Sequence, residues 1–223
     1  EFLMDELRFS DLNFGMYKQD EDTAQYIANL QSKYNWPKLI RASLGKNRAD
    51  RIMKVASTLK GTLVMGAAQQ SSDEEVLENI KRSNISAKAY SDLLSFMNRT
   101  NKNAKTFTEF ILGIPGDTQE KHFKSLKHGV DNKVNTIRMF QAILLAGTEM
   151  ASPETRKKFK LSTKYRVITG AVGKYQFGNK NIPICEIEEI IVGNNGMSFD
   201  DYVSCRVMDL IIETFHNNAL FEE

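Results

Sequence analysis

The chain is 223 residues long, with 41% apolar and 26% charged residues, a formal net charge of +2 from 30 basic and 28 acidic side chains, and two cysteines. That length can bury one sizeable α/β core, and the composition excludes a disordered or fibrous polymer. Balanced charge offers no footing for a nucleic acid or a membrane surface, no apolar run approaches ~18 residues, and two cysteines fall short of a disulfide framework, so a cytoplasmic setting is expected.

Five strand candidates alternate with helices along the first two thirds of the chain. The strands are expected at 7–9 carrying into 11–14, and at 39–44, 62–67, 106–112 and 136–142, as apolar runs suited to a parallel sheet buried on both faces. Helical stripes fall between them. Ile27, Leu30 and Tyr34 mark the first, and Ile52, Val55, Ala56 and Leu59 the second. Val76, Leu77 and Ile80 mark the third, Tyr90, Leu93, Leu94 and Met97 the fourth, and Phe123, Leu126 and Val130 the fifth. Ser72 with Glu75 has the pattern of a capping box, and Thr118 that of an N-cap. After Ser152 the rhythm changes. A charged connection or short helix is expected at 153–158, a strand at 186–192 and a turn at 193–196. A helix capped by Ser198 follows, with Val203, Val207, Leu210, Ile211 and Phe215 as its apolar stripe.

Parallel α/β folds bind ligands beyond the carboxyl ends of their strands. The polar residues expected there are Asp11 and Asn13, then Ser43, Lys46 and Asn47, then Gln69, Gln70 and Ser71, with Glu109 and Gln141 inside the last two strands. Glu109 interrupts an apolar run. A carboxylate there is either a structural hydrogen-bond acceptor or a two-oxygen acceptor for vicinal hydroxyls. Arg82 is either a solvated surface arginine or a fork for a substrate carboxylate. Asp11 either holds an ammonium group or closes a turn. The glycines of Gly113-Ile114-Pro115-Gly116 allow close backbone approach or simply make the turn, and no phosphate-loop lysine follows them. His122, His128 and His216 show no metal spacing and read as ordinary helix positions. Cys185 and Cys205 read as two buried, small apolar side chains rather than metal ligands.

Taken in order, DLNFG, QQSSDEEVLENIKRSN, TEFILGIPGDT and RMFQAILLAGTEM resemble the radical S-adenosylmethionine (SAM) superfamily over residues 7 to 150. The DxNFG start, QSxxxxVLxNIKRxN and EIEEIIVGNNGMS are similar to the subgroup that carries a cobalamin-binding domain. The resemblance implies an α/β fold, a partial (β/α) barrel of parallel strands lacking the first strand, with a C-terminal strand and helix extension. Residues 1–150 would supply strands two to six, and 151–223 an extension packing on the barrel. It also implies the site. Asp11 and Asn13 would meet the methionine amino group, with Ser43 among the cofactor-binding residues. Gln70 and Ser71 would approach the nucleoside or methionine, and Arg82 the carboxylate. Glu109 would hold the ribose, with Ile111 and Gly113 near the adenine.

The family's CxxxCxxC loop is absent from these residues. The resemblance therefore implies SAM as the cofactor of this chain, and a [4Fe–4S] cluster and cobalamin as cofactors of a longer parent. That parent would cleave SAM reductively to a 5′-deoxyadenosyl radical, while this piece would be inactive alone. A missing first strand would leave a barrel edge open to self-association. The substrate is not readable. Two other readings stay open: a different βα-barrel enzyme with Lys46 as a Schiff-base lysine, and a cluster-free binding module.

Overall fold

Five parallel strands form one sheet in the computed structural model of the chain, which describes residues 4–11, 13–45, 48–82, 92, 95 and 106–220. They are β1 (Glu6–Arg8), β2 (Leu39–Arg41), β3 (Leu63–Gln70), β4 (Thr106–Leu112) and β5 (Thr136–Gln141), lying side by side in chain order. Each crossover advances one place, as a run of βα units of one hand does. All five expected strands are present. The fourth expected helix lies outside the described residues, as do Lys46 and Asn47.

Helices cover one face of the sheet. α1 (Gln19–Tyr34) and α2 (Ala49–Thr58) bury Ala24, Ile27, Ile52, Val55 and Ala56 against Ile40 and Leu63. Tyr34, expected on the same stripe as Ile27, is 60% exposed at the end of its helix. α3 (Glu74–Asn79) and α4 (Gln119–Asp131) follow β3 and β4. The cap of α3 is Asp73, whose carboxylate accepts from Val76 N at 3.1 Å, and not the expected Ser72. Ser72 is engaged elsewhere: its N–H donates to Ser125 Oγ at 3.0 Å, tying the β3–α3 loop to α4. Thr118 caps α4 as expected, accepting from Lys121 N at 3.1 Å.

Among the described residues no layer covers the opposite face, against the expectation of strands buried on both sides. β4 shows why. Its side chains alternate between fully buried (Thr106, Thr108, Phe110, Leu112) and half-buried (Phe107, Glu109, Ile111), so an apolar run conceals a period of two.

The C-terminal third differs most from expectation. After α5 (Pro153–Phe159) the chain forms a long antiparallel ribbon, β6 (Ser162–Phe177) with β7 (Lys180–Gly193). The expected strand at 186–192 is the base of β7. There Ile191 N donates to Ala142 O at 2.9 Å and Leu144 N to Glu189 O at 2.9 Å, which extends the sheet past the end of β5. α6 (Phe199–Ile211) has the Ser198 cap, reciprocated by Asp201 in a full capping box. Its expected stripe is turned outward: Val203, Val207 and Leu210 are 43%, 54% and 65% exposed. The buried face carries Tyr202, Cys205 and Asp209 instead. Both sets recur at helical spacing, and a polar contact from Asp209 to α4 decides between them. Among the described residues no helix is long and apolar enough to cross a membrane.

Candidate functional site

The open face of the sheet is a trough with two compartments. β4 and β5 run through both in register, with Glu109 beside Arg138 and Ile111 beside Phe140. The upper compartment, a cleft of about 820 Å³, lies at the carboxyl ends of β3, β4 and β5. Its lining includes Ile111, Ile114, Phe140 and Ala142, an apolar strip. Met150, Thr155 and Phe159, from the segment after β5, also line it.

Two polar side chains give this cleft its character. Gln70 ends β3 at φ 59°, where the register with β4 slips, and only 6% of it is exposed. A left-handed backbone costs a non-glycine residue about 1–2 kcal/mol. Its Oε1 is buried and makes no hydrogen bond among the described residues, which costs about 1–3 kcal/mol more. A residue that bears both penalties while facing a cleft is prepared for a donor that the chain itself does not supply. Arg82 follows α3 with its backbone held by Leu77 O at 2.9 Å, and its side chain is exposed on the cleft wall. The adjacent Lys81 spans the mouth to Glu149 at 2.6 and 2.8 Å. Gln141 also lines the cleft, but its amide is committed: Nε2 donates to Tyr202 OH at 2.6 Å, and Oε1 accepts from Arg166.

The lower compartment, about 530 Å³, holds Glu109 and Ser43 together with Glu6, Arg8, Arg41 and Arg138. The expected site residues therefore divide. Gln70, Arg82 and Ile111 meet in the upper cleft, and Ser43 and Glu109 in the lower one. Asp11, Asn13, Ser71 and Gly113 line neither. Asp11 Oδ1 accepts from Asn13 N at 2.8 Å, and Asn13 O from Met16 N at 3.0 Å, which makes a turn. Ser71 Oγ accepts from Asp73 N at 3.1 Å ahead of α3. Gly113, at φ 84°, donates its N–H to Asp117 Oδ2 at 3.2 Å and packs so close to Ile191 O that a Cβ would lie 3.2 Å away.

Behind the β4–α4 loop is a buried polar cluster without a sequence signature. His122 is 2% exposed. Its Nε2 lies 2.9 Å from Asp209 Oδ1, and its Nδ1 4.0 Å from Asp117 Oδ2. Burial pushes the Asp117 carboxyl up to about 6, against the opposing pull of His122 and the Gly113 and Thr118 amides. Burial, with the nearby aspartates, also pushes the Cys205 thiol up to about 12, so it is protonated at neutral pH. Cys205 is buried as expected, but Cys185 is exposed, because it lies on the outer part of the ribbon, where nothing packs over it among the described residues. Among the described residues no group of three or more His, Cys, Asp or Glu is placed to hold a metal ion.

No protein-family model matches the chain. Two curated relatives match nearly all of it. A 2-(S-pantetheinyl)-carbapenam-3-carboxylate methyltransferase of Streptantibioticus cattleyicolor is 27% identical over 226 residues, 97% of this chain and 31% of that protein. The cobalamin-dependent radical SAM methyltransferase TokK of Streptomyces tokunonensis is 26% identical over 227 residues, with the same coverage. The chain therefore resembles a cobalamin-dependent radical SAM methyltransferase over nearly its whole length. The chain spans about a third of the length of the curated relatives it matches. Its fold is shared with the radical SAM methyltransferase TsrM of Kitasatospora setae, solved with cobalamin and a [4Fe–4S] cluster bound. The TM-score is 0.53 at 11% identity, over 78% of this chain and 31% of that one.

Proposed function

We propose that these residues are the SAM-binding part of a cobalamin-linked radical SAM methyltransferase, with β1 to β5 as strands two to six of a partial (β/α) barrel. One observation carries the reading. Gln70, Arg82 and Ile111, three positions matched to the family's SAM motifs, converge on one cleft although 41 residues separate the first from the last.

The cleft fits the group chemically. Ile111 and Ile114 give an adenine ring an apolar surface, and Arg82 gives a carboxylate a two-pronged donor. The buried Oε1 of Gln70 gives a hydroxyl or ammonium donor the acceptor it needs. A cleft of about 820 Å³ is in the ordinary range for a ligand of this size. Glu109 sits one pleat below Ile111, in the lower compartment, and a ribose edge would have to extend down from the cleft to reach it. In a longer parent with its cluster, bound SAM would supply a 5′-deoxyadenosyl radical or a methyl group. The residues here bind it, orient it and keep water from its apolar side. The chain's two cysteines cannot provide three thiolates, so the cluster would be held by residues outside these 223.

The test is isothermal titration of the chain with S-adenosylhomocysteine, which needs no cluster. Measurable binding is expected, weakened by about 1–3 kcal/mol in Arg82→Gln and in Gln70→Ala, the cost of a lost charge-assisted or buried hydrogen bond. No binding, or equal affinity in all three proteins, overturns the assignment.

A further inference from the structure

Helices or a second layer ordinarily cover both faces of a parallel sheet. Here the open face carries three arginines around the lower compartment: Arg8 on β1, Arg41 on β2 and Arg138 on β5. Glu6 engages two of them, with Oε1 3.0 Å from Arg8 and Oε2 3.0 Å from Arg41. Those two guanidinium groups hold the Glu6 carboxyl below its usual range. Arg138 forms no ion pair among the described residues, although Glu109 is its register neighbour. Its guanidinium lies 6.0 Å from the centroid of the Phe107 ring. That ring is itself seated on Gly66, where a Cβ would lie 2.2 Å from it. Gly66 and Phe107 thus fix a platform, and Arg138 rests over it with no side-chain hydrogen bond to another described residue. Three arginines against Glu6 and Glu109 leave the compartment one positive charge in excess.

We infer that the lower compartment binds the anionic group, a carboxylate or a phosphate, of the second substrate. Arg138 is its principal contact, Arg8 its second, and Phe107 a positioning residue. A planar fork over an aromatic face suits an oxyanion. From Glu109 to Ile111 is two residues, about 7 Å along a strand, so a small molecule anchored below presents its other end to the upper cleft. Only that orientation rests on the proposed SAM site; anion binding stands without it.

The test follows the arginine Nε–H resonances of the chain during titration with inorganic phosphate and, separately, with N-acetylglycine, at constant ionic strength, with and without S-adenosylhomocysteine. Saturable shifts at Arg138 and Arg8 are expected. Arg138→Gln should lower the affinity about tenfold or more, and Phe107→Leu severalfold, the loss expected for a charge-assisted contact and its support. Arg138→Lys should recover part of it. Arg82→Gln should leave the anion titration unchanged while it weakens S-adenosylhomocysteine, so failure of one site is distinguishable from failure of the other. Tighter binding of N-acetylglycine identifies a carboxylate substrate, and tighter binding of phosphate a phosphorylated one. Shifts that never saturate, that are alike at all arginines, or that persist unchanged in Arg138→Gln overturn the inference.

Discussion

Replacing His122 with alanine isolates the polar cluster between α4 and α6. The side chain is buried, and its Nε2 contact to Asp209 at 2.9 Å links the two helices. Breaking a buried ion pair by removing one partner commonly costs about 3–5 kcal/mol. Neither carboxylate is left bare here, however. Asp117 keeps the Gly113 and Thr118 amides, at 3.2 and 3.0 Å, and Asp209 keeps Arg206 at 3.1 Å. The loss is therefore close to that of one hydrogen bond to a charged group plus a small cavity, about 2–3 kcal/mol. For a chain of this size that is a fall in Tm of about 4–12 °C. The assay is urea unfolding at neutral pH of the wild type, His122→Ala, Asp209→Ala and the double variant, with the exposed Lys124→Ala as control. A coupling energy above about 1 kcal/mol is expected from the cycle. S-adenosylhomocysteine affinity should be nearly unchanged, because the cluster lies behind the β4–α4 loop. A loss equal to that of Lys124→Ala, or zero coupling, refutes the reasoning.

Other expectations follow from single residues. The Asp117 carboxyl rises from 3.8 to about 6 on folding, a shift worth roughly 3 kcal/mol. Its contribution is fully present below pH 3.8 and lost as pH rises through about 6, so Asp117→Asn should remove a fall in stability across that window, read by urea midpoints at several pH values. Glu189 moves the other way, to about 2, held down by Arg156 and Thr163. Its contribution is present above 4.5 and lost as pH falls through about 2. Because Arg156 is a third exposed, Glu189→Gln should cost only about 1–2 kcal/mol at neutral pH, and the difference should vanish in acid. Gln70→Gly should stabilise the fold by about 1–2 kcal/mol through relief of the left-handed backbone, while weakening S-adenosylhomocysteine. A variant that is neither more stable nor a poorer binder would contradict both roles.

The strands and most caps were legible because they rest on local signals: apolar runs of strand length, and Thr118 or Ser198 ahead of helical stripes. Long-range choices were not. Asp73 takes the cap of α3, while the hydroxyl and amide of Ser72 are both engaged by Ser125, 53 residues away. The outward stripe of α6 loses to a face carrying Asp209, because His122 waits on α4. β6 gave no signal: most of it is exposed and glycines interrupt it, so nothing imposes an alternating pattern. Of the residues that family motifs proposed for the site, Gln70, Arg82 and Ile111 line one cleft. Gly113 and Ser71 make hydrogen bonds within the fold and line neither compartment, and the wall from Met150 to Phe159 has no motif to reveal it. Arg138 and Phe107 are ordinary strand residues until the face they share is seen to be open.

The most direct measurement is a crystal structure of the chain grown with S-adenosylhomocysteine. The account predicts the ligand in the upper cleft, with adenine against Ile111 and Ile114, its carboxylate at Arg82 and a donor on Gln70 Oε1. Ligand density elsewhere, or a bound ligand that leaves Arg82 and Gln70 untouched, would contradict it.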